Sequence, residues 1–135
     1  MRWNWTSNSS RQADRRSVQA ANKRKFAMIY EQRVYSVVPG RMPALLKRFE
    51  DHTLRLFDEH GIRQTGFFTT MVGESNLQLT YFLAWESLAE REAKWGAFVT
   101  DPKWIEVRNE SESDGPIVAN VSNQLLAPTS FSSVK

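Results

Sequence analysis

From Met28 onward the hydrophobic and polar positions settle into two alternating rhythms. The segment 28–38, MIYEQRVYSVV, has the period of two of a strand and ends at Pro39-Gly40. One face of it carries Ile29, Glu31, Arg33, Tyr35 and Val37, and the other Tyr30, Gln32, Val34 and Ser36. Glu31, Arg33 and Tyr35 therefore project together, with Glu31 and Arg33 close enough to pair. Met42, Leu45, Leu46, Phe49, Thr53, Leu56 and Phe57 then recur at spacings of three and four, which predicts a helix of about 18 residues stopped by Gly61. Residues 62–72 and 77–85 read as two strands of a hairpin around Gly73-Glu74-Ser75-Asn76, and Gly66 inside the first marks a bulge or a close approach.

Ser87 with Glu90 three residues later is a capping box, so a second helix starts there. Its apolar stripe is Leu88, Trp95, Phe98 and Val99, and Arg91 stands one turn before Trp95, where guanidinium and indole can stack. Asp101-Pro102 caps a short further helix with Trp104 and Val107 inward. After the polar run NESESDGP, residues 117–127 read as a fourth strand, and PTSFSSVK is irregular.

The resulting order is that of an α+β, ferredoxin-like split βαβ fold: a four-stranded antiparallel sheet with helices on one face. The uncovered face sets the next expectation. Four strands of about seven residues project roughly 440 Å², and monomers rarely leave apolar patches above about 300–600 Å² in water. Neither face of these strands reads as polar, and covering the bare one is worth on the order of 10 kcal/mol before association costs. The expected partner is a second copy, sheet to sheet, in a homodimer.

Composition sharpens this picture by exclusion. With 135 residues, 41% of them hydrophobic, the chain has material for one globular domain. No apolar run of about 18 residues is present, so no membrane span is expected. The absence of cysteine removes disulfides, thiolate catalysis and Cys-ligated metal sites. The net charge of +3 is unevenly spread: residues 1–27 hold seven cations against Asp14 alone, a balance of +6, leaving −3 for residues 28–135. The basic character therefore belongs to a leader over 1–27, expected to be disordered or peripheral, and the domain over 28–135 is mildly acidic. The leader's Arg- and Ser-rich composition leaves three readings open: an inert or misassigned start, a mitochondrial transit peptide, or a basic arm. Without a transit peptide the expected compartment is the cytoplasm.

Motifs of catalysis are missing. There is no glycine-rich phosphate loop, no nucleophile elbow, and no pair of histidines at helical metal-binding spacing. With two histidines in all, no metal site and no cofactor are expected. The RNA-binding signature of aromatics interleaved with basic residues and glycine is absent from the third strand, so nucleic acid is not an expected partner.

Several pieces in order carry a family resemblance. They are Tyr30-Glu31-Gln32-Arg33-Val34-Tyr35-Ser36-Val37 with Pro39-Gly40, then His60-Gly61-Ile62 and Gly66-Phe67-Phe68. Next come Ala84-Trp85-Glu86-Ser87, Arg91, Trp95, Phe98, Asp101-Pro102 and Trp104, and finally Leu125-Leu126-Ala127-Pro128 with Phe131-Ser132. Over 28–133 the chain resembles the NIPSNAP family of the dimeric α/β-barrel group. The resemblance implies a ferredoxin-like dimer, and related barrels host cofactor-independent oxygenation, isomerisation or dehalogenation in their clefts.

Two functional classes follow. In the first, a small-molecule pocket lies between sheet and helices, with Tyr35, Phe67, Phe68, Trp85, Trp95 and Trp104 as apolar wall and Arg33, Arg91 and His60 as orienting groups. The ligand-binding set is thus Arg33, Tyr35, His60, Trp85, Arg91, Trp95 and Trp104. His60 is also the candidate for proton transfer, because imidazole titrates nearest neutrality; the competing reading places it at a helix C-terminus, where an imidazolium meets free carbonyls. In the second class the same aromatics are core, and the protein is a scaffold without turnover. Whether it is an enzyme is left open by the sequence.

Overall fold

The computed structural model describes residues 28–135, and the leader over 1–27 lies outside the described residues. Strand β1 (Ile29–Val37) pairs on one side with β3 (Gln78–Trp85) and on the other with β4 (Val118–Leu126), while β2 (Arg63–Thr69) pairs with β3. All three pairings are antiparallel and the sheet order is β2-β3-β1-β4, the ferredoxin-like arrangement.

Helix α1 joins β1 to β2 and has three parts. A regular segment, Met42–Arg48, opens with Pro43 in the first turn, where a missing N–H costs nothing. A wider π-helical turn, Phe49–Thr53, follows, closed by the Leu54 N–H on the Phe49 carbonyl. Regular helix resumes over Leu54–Glu59 and stops at Gly61, whose φ of +68° suits a residue without Cβ. Helices α2 (Leu88–Val99) and α3 (Pro102–Ser111) fill the second crossover. The Ser87 hydroxyl accepts from Glu90 N–H at 3.0 Å, and the Glu90 carboxylate reaches back to the N–H of Glu86, one residue earlier than in the usual capping box. Asp101 caps α3 by accepting from Lys103 N–H at 2.9 Å.

The core lies between the helices and the sheet face carrying Val37, Leu79, Tyr81, Leu83 and Trp85, closed over by Leu45, Phe49, Leu56, Phe57 and Phe98. Several side chains depart from the expected stripes. Leu46 on α1, and Leu88 and Val99 on α2, are exposed, whereas Arg48 is buried against α3. The inner face of α2 is instead made by Arg91, Lys94, Trp95 and Phe98. Strand β2 ends at Thr69 rather than Val72, so Met71 and Val72 stand 90% and 96% exposed at the hairpin tip. Gly66 sits at the expected bulge, with φ +140° and a register shift after Gln64.

The opposite sheet face is more polar than the alternation suggests. Gln32, Ser36, Gln78, Thr80, Asn120, Ser122 and Gln124 occupy most of it, with Gln124 donating to Gln32 at 2.6 Å. Apart from Val34 in its middle, its apolar part gathers at one end, where Tyr30, Phe68, Phe82 and Leu126 meet Pro128 and Val134 of the tail around a depression of about 370 Å³. Edge strand β4 is exposed on both sides, and no helix among the described residues covers it.

Candidate functional site

The most strongly organised polar group in the molecule grows out of β1. Glu31 and Arg33 point to the helix side, and Arg33 Nη1 donates to Glu31 Oε2 at 2.9 Å. Glu31 has no exposed surface at all, so its charge survives only if the protein replaces the water it lost. Four residues from four elements do so. From α2, Arg91 donates Nε to Oε1 at 2.8 Å and Nη2 to Oε2 at 3.0 Å, a bidentate fork. Trp85 Nε1 on β3 donates to Oε1 at 3.1 Å, and Asn123 Nδ2 on β4 donates to Oε2 at 2.8 Å. Burial pushes the carboxyl upward, but the hydrogen bonds from Arg91 and Asn123 and the charge of Arg33 outweigh it and hold the pKa at about 2.

Arg33 extends the network across β1. Its Nε donates to the Tyr81 hydroxyl at 2.9 Å, and the Tyr81 and Tyr35 hydroxyls share a hydrogen bond of 2.9 Å. Trp95 covers one face of the guanidinium, 4.3 Å from its carbon to the ring centre. Burial works against the charge of Arg33, yet the Tyr81 and Tyr35 phenols and the Glu31 bond outweigh it and raise its pKa. Burial, with Tyr35 alongside, pushes the Tyr81 phenol well above its ordinary value. Phe67 stacks on the Tyr81 ring at 4.7 Å between centroids and fixes it from β2.

The network lies at the margin of the helix layer. Cross-strand register puts Glu31 opposite Leu125, Arg33 opposite Asn123 and Tyr35 opposite Val121, so all six side chains share one face. The β1 members run under the helices. On β4, Val121 and Leu125 remain 43% exposed. The result is a wall of Arg33, Tyr35, Arg91 and Trp95 beside the exposed inner face of β4.

Of the seven residues singled out from sequence, Arg33, Tyr35, Trp85, Arg91 and Trp95 are thus brought together. Trp85 is wholly buried and faces Glu31 rather than open space. Arg91 does not stack on Trp95; the fork to Glu31 holds it, and Arg33 takes the indole face instead. Trp104 packs on Phe98 at 4.9 Å, with the Arg48 guanidinium carbon 5.3 Å from its ring. His60 shares no hydrogen bond or ring contact with the Glu31 network. It caps the end of α1, bonds Asp101 Oδ2 through Nε2 at 2.7 Å and lies edge-on to Phe98, tying α1 to the start of α3. That hydrogen bond and the one from Lys103 N–H draw the Asp101 pKa down.

Sequence reading misses three participants. Glu31 appears there only as the neighbour of Arg33, not as the hub. Tyr81 is one aromatic in an alternating strand, and Asn123 lies 92 residues from its acceptor. Arg48 is a fourth omission: its buried guanidinium bonds Ser111 Oγ at 3.3 Å and pairs loosely with Glu112 at 3.6 Å, and its Nε has no partner among the described residues. Among the described residues no group of three or more His, Cys, Asp or Glu could hold a metal ion, and no helix is long and apolar enough to cross a membrane.

Comparison with known proteins agrees with this architecture. An uncharacterised NIPSNAP-like domain protein from Burkholderia xenovorans is 26% identical, with a TM-score of 0.71 over 79% of this chain and 90% of that one. A NIPSNAP family protein of unknown function from Agrobacterium tumefaciens is 27% identical, with a TM-score of 0.71 over 80% and 94%. A second NIPSNAP family protein from that organism, 24% identical, shares the fold with a TM-score of 0.72 over 80% and 99%. No curated protein matches the chain significantly. The family model for NIPSNAP matches residues 30–133, from Tyr30 of β1 through the tail after β4; the chain belongs to the NIPSNAP family.

Proposed function

We propose that the protein is a homodimeric small-molecule-binding protein acting in the cytoplasm, with its ligand in the cleft between the helices and the β1–β4 half of the sheet. One observation carries this reading: a buried carboxylate, two guanidiniums and two phenols are assembled beside the exposed inner face of β4. Polar groups fixed by one another and bordering open apolar surface make an orienting site, because a ligand meets donors that lose no further freedom on binding. Sheet-to-sheet pairing is supported by the apolar end of the open face, where Tyr30, Phe68, Phe82 and Leu126 cluster. Its polar remainder makes for a wetter interface than an apolar sheet would give.

Binding is favoured over catalysis by the state of the groups. Glu31, with a pKa of about 2, is a poor base at neutral pH, and Tyr81 is a poor acid. His60 is engaged with Asp101 away from the network. Two measurements test the proposal. Light scattering at micromolar concentration is expected to give twice the chain mass. Crystals soaked with a fragment library of neutral and charged members are expected to show occupancy in the cleft. A monomer would remove the dimer, and a cleft empty across the whole library would leave the scaffold reading.

A further inference from the structure

Charge compensation around Glu31 is unequal. One carboxylate faces two guanidiniums, Arg33 and Arg91, so the hydrogen-bonded assembly carries a net +1, with Arg33 buried and Arg91 partly open at the rim. Both Glu31 oxygens are already engaged, Oε1 by Trp85 and Arg91 and Oε2 by Arg33, Arg91 and Asn123. Arg91 spends Nε and Nη2 on this fork. Arg33, its side chain nine-tenths buried, spends Nε on Tyr81 and Nη1 on Glu31. The structure gives its Nη2 no close hydrogen bond among the described residues, and the Tyr35 hydroxyl stands beside the guanidinium, acting on it both by charge and as a hydrogen-bond neighbour.

A buried cation in excess of its anions is costly unless something neutralises it. Resting on the cleft reading above, we propose that the ligand is a small monoanion with a flat apolar body. Its carboxylate lies against Arg33 Nη2 and the Tyr35 hydroxyl, and its body lies between Trp95 and the β4 floor. The sign follows from the excess charge and the magnitude from its being a single one, since the Arg48 guanidinium has Glu112. The flat apolar body follows from the surfaces: the Trp95 indole and Tyr35 ring on the wall, Val121 and Leu125 on the floor. Fixed orientation follows as well, because the Tyr81 hydroxyl and Trp95 hold the guanidinium plane from two sides.

A matched pair of ligands tests the class. Calorimetric titration of the full chain with 1-naphthoate and with its neutral amide, 1-naphthamide, compares the same ring with and without the charge. The acid is expected to bind about tenfold tighter in low salt, the margin of a charge-assisted over a neutral hydrogen bond. Tyr35→Phe, which keeps the ring, is expected to shrink that ratio several-fold with little change for the amide. Equal binding of acid and amide, or tighter binding of the amide, overturns the anionic class while leaving the cleft as a ligand site. Failure of both probes to bind also overturns it, and the fragment soak then reports separately on whether the cleft accepts any molecule.

Discussion

Replacing Glu31 by Gln removes one charge and keeps the shape, which makes it the sharpest probe of the network. In the wild type a carboxyl drawn from its ordinary 4.5 down to about 2 contributes about 3 kcal/mol to folding at neutral pH, since a tenfold change in proton affinity is worth about 1.4 kcal/mol. The glutamine amide would also bring N–H donors toward the Arg33, Arg91, Trp85 and Asn123 donors. The expected loss is about 3 kcal/mol in urea denaturation at pH 7, or roughly 10–15 °C in Tm for a chain of this size. The sign of the pH dependence is fixed by the depressed pKa. The stabilisation is present above the unfolded value near 4.5 and disappears as pH falls toward 2, so the two proteins should converge in acid. A variant within about 0.5 kcal/mol of wild type at pH 7, or a gap unchanged between pH 6 and pH 2, would refute the reasoning. Should the glutamine variant fail to fold, Asn123→Ala removes one donor from the exposed edge and is expected to cost about 1 kcal/mol with the same trend.

Four further outcomes are expected. Ser87→Ala deletes the acceptor for Glu90 N–H and should lower stability by about 1 kcal/mol by chemical denaturation. Gly66→Ala forces Cβ into a φ of +140°, within 2.8 Å of Phe68; a loss of about 1–3 kcal/mol is expected, and a neutral result would mean that the bulge relaxes. Met71→Ser with Val72→Ser should change unfolding by less than about 0.5 kcal/mol, because both side chains stand in solvent. Phe82→Glu places a charge at the apolar end of the open face, and light scattering should show the proposed dimer giving way to single chains with an otherwise native circular dichroism spectrum.

Local chemistry made most of the fold legible. Ser87 with Glu90 and Asp101 with Pro102 announce helix starts because their partners are two or three residues away, and Gly66 announces a bulge because only a residue lacking Cβ tolerates that backbone. The π-helical turn at Phe49–Thr53 has no comparable signature, since its hydrogen bonds can be made by any backbone. Arg48, next to Lys47 on a helix with a solvated side, reads as surface until α3 folds over it. The site was legible in part for the same reason. Strand alternation places Glu31, Arg33 and Tyr35 on one face, but the hub role of Glu31 depends on contacts 54, 60 and 92 residues away. Helical spacing offered Trp95 as the natural neighbour of Arg91, and it could not foresee that Arg33 would claim the ring from across the core.

The single surplus residue in the π-helical turn works as a phase shifter. Leu54 N–H bonds the Phe49 carbonyl five residues back, so everything after it is rotated by about 100° relative to an uninterrupted α-helix of the same sequence. Across it Leu45 and Phe49 upstream and Leu56 and Phe57 downstream all stay buried on the inward side. Deleting one residue between Glu50 and His52 would take out the surplus and restore regular winding with the downstream pair still facing the sheet. Aligning this chain with a relative whose helix is uniformly wound therefore calls for a one-position gap inside the helix, not in the loop beyond it.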